Sequence, residues 1–220
     1  MAVLQDESAL LEKASAGGME RSQIQELHYI TDMANVPSML EQGILSHRLA
    51  ARTARRHISV ADEEVQARRA GKRIWLGRSY RLLHDYANLY VDARNAMLFL
   101  LLQAGQGDLT VLAIDPKVLD LRGVIVADRN AASLAPRFLP SAEGIAALDE
   151  AVVTAERWTD SQEAKQRRMA EVLVPGRVPP SFIRGAYVPD DDAAGRLRGH
   201  LRGASLAIRV NPRLFFGSRP

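Results

Sequence analysis

Arg168-Met169-Ala170-Glu171-Val172-Leu173-Val174-Pro175-Gly176-Arg177-Val178 is the stretch on which the fold turns. Residues 170–174, with β-branched Val172 and Val174, run into Pro175-Gly176, which reads as a short buried strand closed by a turn. Glu171 stands at the mouth of that strand. A carboxylate there is costly to bury unless a cation or a sugar hydroxyl meets it. The position is therefore either an edge-strand acid facing water or part of a site. A second informative run lies upstream, Leu83-His84-Asp85-Tyr86-Ala87-Asn88-Leu89-Tyr90, leading to Ala93-Arg94-Asn95-Ala96-Met97-Leu98-Phe99.

Working outward, residues 5–16 read as an amphipathic helix ended by Gly17-Gly18, part of an N-terminal extension over 1–24, with one domain over 25–220. Residues 27–31 form a first strand. Asn35 then caps a helix through Gln42, with Pro37 in its first turn and Gly43 at its end. Residues 44–58 form a basic loop, and Ser59 caps a helix over 60–70 that Gly71 closes. Further strands are expected at 88–92, 109–114, 123–126, 170–174, 184–188 and 206–210. Helices are expected at 142–157, 160–168 and 191–201, and residues 97–102 form a buried element. Short strands bounded by Gly, Pro and Asp, with helices grouped early and late, point to an α+β fold. No glycine-rich strand–helix turn of the dinucleotide-binding kind is present.

The 220 residues are ample for one core, and 47% apolar with 25% charged residues is ordinary for a globular chain. The absence of cysteine excludes a disulfide framework and thiolate chemistry and suits a reducing cytoplasm. No apolar stretch reaches a membrane span, so no membrane partner is expected. The histidines at 28, 47, 57, 84 and 200 show no paired ligand spacing, so no metal is expected; His47 and His57 read as loop residues. Arginine supplies 25 of the 29 basic residues, and residues 47–81 hold ten basic residues against three acids. That density is either a solvated face or a track for a phosphate backbone.

Together these runs resemble the DarT family, bacterial toxins that attach ADP-ribose from NAD to DNA bases. The resemblance covers roughly residues 27–190. It implies an ADP-ribosyltransferase-type split β-sandwich of two mostly antiparallel sheets with flanking helices. It further implies a co-substrate site from Tyr29, Ile30, Thr31, Ser38, Leu45 and Arg69, although Tyr29 stands where the family carries histidine and His28 precedes it. The helix pair Arg68-Arg69 matches the segment of the catalytic arginine, with Arg69 the better match and Arg68 one residue of register away. Glu171 matches the catalytic glutamate. Arg94, Asn130, Arg137 and Trp158 match segments that meet the nucleic acid; Trp158 either stacks on an unpaired base or serves as a packing anchor.

The resemblance implies NAD as co-substrate without a metal, and thymine or guanine in single-stranded DNA as acceptor. It also implies a macrodomain antitoxin that removes the ADP-ribose. Two rivals stay open: ADP-ribose transfer to RNA or protein, and a non-catalytic nucleic-acid-binding domain that keeps the fold.

Overall fold

The computed structural model describes residues 18–53, 57–156 and 161–217. The helix expected at 5–16 and Trp158 lie outside the described residues.

Among the described residues the strands run β1 (Leu27–Asp32), β2 (Ile44–Leu45), β3 (Arg73–Leu76), β4 (Ser79–Leu82), β5 (Tyr86–Tyr90) and β6 (Leu109–Ile114). They continue with β7 (Ile125–Ala127), β8 (Phe138–Pro140), β9 (Glu171–Pro175), β10 (Arg177–Val178), β11 (Ile183–Val188) and β12 (Ala207–Val210). Eight of them form one sheet in the order β12-β11-β6-β1-β5-β9-β7-β8. Every pairing in it is antiparallel except β11 with β12. The two expected sheets are thus joined: β1 and β5 share the single pair His28↔Tyr90, whereas β1 matches β6 from Leu27↔Ile114 to Asp32↔Leu109. The sheet parts at that seam into two four-stranded halves.

The period-2 alternation of β9 assigns its faces. Val172 and Val174 enter the main core with Ala87, Leu89, Leu112 and Ile114. Leu173 points the other way, into a smaller cluster with Ile74, Leu83, Tyr86 and Ala131. Glu171 shares that second face, opposite Tyr90 on one side and Ala127 on the other. A one-residue slip of β9 would drive the carboxylate into the main core.

The structure departs from the local sequence signals at several places. Asn35 precedes the Val36–Gln42 helix but caps nothing with its side chain, which is engaged elsewhere. Residues 44–58 are not simply a loop: they hold β2, paired with β10, and the His47–Arg52 helix, whose N-terminus Ser46 caps. The next helix runs Glu63–Ala70 and its cap is Asp62, which accepts from the Val65 N–H at 2.9 Å; the carboxylate, followed by Glu63 and Glu64, outcompetes Ser59 at the positive end of the dipole. The helix expected over 142–157 breaks in two, Ser141–Ala146 and Glu150–Val153, because Asp149 caps a fresh start. Residues 97–102 lie in the Ala96–Gln103 helix, where Leu98 is buried and Leu100 is 64% exposed. The β3–β4 hairpin had no counterpart in the sequence reading. Met19 and Ile24, within the segment set apart as an extension, are buried in the main core.

Gly43 allows the chain to leave the Val36–Gln42 helix and enter β2. Its φ is +86°, and a Cβ there would lie 2.1 Å from the Val178 carbonyl oxygen, so only glycine permits β2 to meet β10.

Candidate active site

Asp62 starts the Glu63–Ala70 helix, and Gly71 follows its last turn, where Arg68 and Arg69 favour the negative end of the dipole. Consecutive helix residues point about 100° apart, so only one arginine faces the sheet. It is Arg69. Its Nη1 donates to Glu171 Oε1 at 3.0 Å and its Nη2 to Oε2 at 2.9 Å, a bidentate pair with the carboxylate fully buried. Arg68 is exposed and reaches only Glu64, at 4.0 Å. A third donor, the Ala131 N–H, meets Glu171 Oε1 at 2.9 Å. Burial weighs against the Arg69 charge, but the adjoining carboxylate outweighs it and holds the guanidinium more firmly protonated than usual.

Arg69 closes the floor of a cavity of about 1500 Å³. Tyr29, Ile30, Thr31, Ser38 and Leu45 line it, as do Arg94 and Asn130. Tyr29 and Tyr90 flank the ion pair; burial pushes both phenols up, so each remains a protonated donor. The Tyr90 hydroxyl donates to Met97 Sδ at 2.9 Å. Thr31 is buried and its Oγ1 accepts from Asn35 Nδ2 at 3.2 Å.

The remaining expected site residues are placed differently. Arg94 lines the cavity with its guanidinium already committed: it donates to the carbonyls of Arg213 and Glu156 and lies 4.5 Å from the Phe216 ring centre. Arg137 is outside the cavity lining and donates through Nε to Asp128 Oδ2 at 2.9 Å. Asp128 is itself buried, which disfavours its charge, but hydrogen bonds from Arg129 and Arg137 prevail and hold its carboxyl below the usual range. Arg168, at the head of the decisive stretch, is a buried brace: it donates to Asp92 Oδ2 and to the carbonyls of Arg94 and Val153. Among the described residues, no group of three or more His, Asp or Glu is arranged to hold a metal ion. Nor is any helix long and apolar enough to cross a membrane.

Two features escaped the sequence reading. The Asn35 amide donates to the Ile58 carbonyl at 2.8 Å and accepts from the Ile58 N–H at 2.9 Å, stapling the cavity-lining segment around Ile58 to the end of β1. The spacing of Thr31 and Asn35 is the one local hint of that clamp. His47 and His84 pack together at the cavity wall with tilted rings, ring centres 4.1 Å apart, with His84 Nε2 3.2 Å from Gln66 Oε1. Nothing local announces a pair 37 positions apart.

Burial, His47 and the Arg69 and Arg48 guanidiniums push the His84 imidazole down to about 4, from 6.5. Between those values the unfolded chain binds a proton at this site that the folded chain does not, so stability falls as pH drops through that window. His84→Gln should flatten the acid side of the melting-temperature profile relative to wild type. Superimposable profiles would remove His84 as the cause.

A buried carboxylate held by a bidentate arginine beside a large cavity, on a sheet that parts between its two central strands, fits the ADP-ribosyltransferase-type architecture that the sequence resemblance implies. The family model described as "ssDNA thymidine ADP-ribosyltransferase, DarT" matches residues 28–216. A Thermosipho africanus DNA ADP-ribosyl transferase–DNA ADP-ribosyl glycohydrolase fusion protein is 33% identical over 195 residues, covering 87% of this chain and 49% of the relative. The chain thus spans about half the length of that relative. A Thermus sp. DNA ADP-ribosyl transferase is 27% identical over 157 residues, covering 67% of this chain and 73% of its own length. Among solved structures, Thermosipho africanus DarTG in complex with ADP-ribose superposes with a TM-score of 0.77 at 32% identity, over 87% of this chain and 51% of that one. Thermus sp. 2.9 DarT in complex with ADP-ribosylated ssDNA shares the fold with a TM-score of 0.76 at 21% identity, over 87% and 96% of the two chains. The chain belongs to the DarT family.

Proposed function

We propose that this chain transfers ADP-ribose from NAD to a thymine base of single-stranded DNA and releases nicotinamide. The observation that carries the reading is the Glu171 carboxylate, fully buried and held by the Ala131 N–H and by Arg69, which itself lines a cavity large enough for a dinucleotide. Cleavage of the bond between nicotinamide and ribose leaves an oxocarbenium-like sugar. A carboxylate hydrogen-bonded to the 2′-hydroxyl stabilises that charge more in the transition state than in the ground state. The bonding pair leaves with nicotinamide, the thymine imide nitrogen bonds the sugar carbon, and the imide proton passes to water.

In this reading the Tyr29–Thr31 backbone and hydroxyls seat the nicotinamide ribose, and Ser38 and Leu45 form the wall beside it. Arg69 cannot serve as an ordinary base, because a guanidinium stays protonated; it stabilises negative charge on the pyrophosphate or on the deprotonated imide. Asn130 and Arg137 and, by the family resemblance alone, Trp158 are assigned to the acceptor, with Arg94 bracing the cavity wall. The imide nitrogen is blocked by pairing in a duplex, so an unpaired base is the substrate. The family description supports thymine.

A cytoplasmic setting and a toxin role belong to the same proposal. So does a macrodomain antitoxin that removes the modification, an inference supported by the glycohydrolase named in the Thermosipho fusion protein. Mass spectrometry of single-stranded oligonucleotides incubated with NAD should show a gain of one ADP-ribose on strands containing thymine and none on strands lacking it. Nicotinamide release without a DNA adduct would move the acceptor to RNA or protein. No release at all would leave only a binding domain.

A further inference from the structure

The ten residues from Arg73 to Leu82 contain three arginines and no acid. They form the β3–β4 hairpin, turned by Gly77-Arg78 with Gly77 at a φ of +69°. Ile74 is its anchor, fully buried with Leu83, Tyr86, Ala131 and Leu173. The opposite face stays in solvent. There Trp75 and Tyr80 are cross-strand partners with ring centres 5.2 Å apart, 61% and 45% exposed, and the Arg73 guanidinium lies 4.8 Å over the Tyr80 ring. Arg78 is exposed at the turn beside them, while Arg81, the cross-strand partner of Ile74, is exposed on the other face.

The hairpin springs directly from the site. Lys72, at its root, pairs with Leu83 through the backbone and donates its ammonium to the Ser133 carbonyl. Ser133 belongs to the same segment as Ala131, whose N–H holds Glu171.

We propose that the face bearing Trp75, Tyr80 and Arg73 is a stacking platform for nucleotides flanking the acceptor base, with Arg78 at the turn on their phosphates. Exposed aromatic rings interleaved with arginines, without acids, match the two surfaces of an unpaired strand, flat bases and a charged backbone. The duplex offers no such base faces. The proposal rests on the transferase reading of the adjoining cavity, and its test separates the two.

Two thymine-bearing oligonucleotides are compared, one long enough only to fill the cavity mouth and one extended on both sides. In the Trp75→Ala/Tyr80→Ala variant, the KM for the extended strand should rise about tenfold or more, the loss expected from unstacked bases. The KM values for the short strand and for NAD should not move, and Trp75→Phe/Tyr80→Phe should restore the extended strand. An unchanged KM for the extended strand, with wild type active, overturns the platform and leaves the transferase reading standing. If wild type transfers nothing, that reading fails alone, and fluorescence anisotropy of the labelled extended strand decides the platform. Binding weakened by the alanine pair supports it; equal binding overturns it, as would preference for a duplex.

Discussion

Glu171→Gln abolishes measurable ADP-ribose transfer, with kcat for nicotinamide release falling by about 10²–10³-fold or more while the protein stays folded, as expected when one preorganised charge is removed from a transition state. The amide has the shape of the acid. Its oxygen can still accept from the Ala131 N–H and from Arg69 Nη1, the two donors that now meet Oε1. What disappears is the negative charge, together with one acceptor for Arg69 Nη2. An oxocarbenium ion is stabilised by a charge beside the sugar, whereas in the ground state the positive charge sits on the nicotinamide ring and NAD is held by the whole cavity wall. The loss should therefore fall on kcat, with KM for NAD changed little. Steady-state nicotinamide release with and without oligonucleotide makes the measurement. A variant within a few-fold of wild type would mean that Glu171 does no more than anchor the Glu63–Ala70 helix.

Arg69→Met is expected to strike both activity and stability. It strands a fully buried carboxylate with one remaining donor, and removing one partner of a buried ion pair costs about 3–5 kcal/mol. Adding Glu171→Gln to Arg69→Met should restore much of the melting temperature without restoring transfer. Urea unfolding of the four proteins gives the coupling energy directly. Arg68→Ala is the matched control: its ion pair with Glu64 is surface-exposed, so a change within about 0.5 kcal/mol is expected. Additive losses in the Arg69–Glu171 cycle would contradict a pair energetically bound to one another.

Much of the backbone was legible in the chain because its signals are local. Residues 109–114 and 191–201 form the expected strand and helix with the expected limits, since a continuous apolar run and an Asp-capped amphipathic segment need no distant partner to be recognised. The strand after Met169 was legible for the same reason. The hairpin was not: its arginines mask the alternation, and only Ile74 is buried, so the apolar pattern is one residue deep. The helix over 142–157 was misread because Asp149 looks like a tolerated polar residue until its side chain is seen accepting from the Val152 N–H.

By itself the sequence determined an α+β chain without cysteine, a buried strand with an acid at its mouth, and a pair of arginines on a helix ahead of it. Only the tertiary structure decided which arginine meets the acid, 102 positions away, that the Asn35 amide staples the far wall in place of capping a helix, and that His47 packs against His84. Capping, turn chemistry and apolar periodicity act over a few neighbouring residues and leave their mark in the local text. The partner of a buried charge is chosen by how strands pair and how a helix is rotated against them, and that choice is made only when the whole core closes.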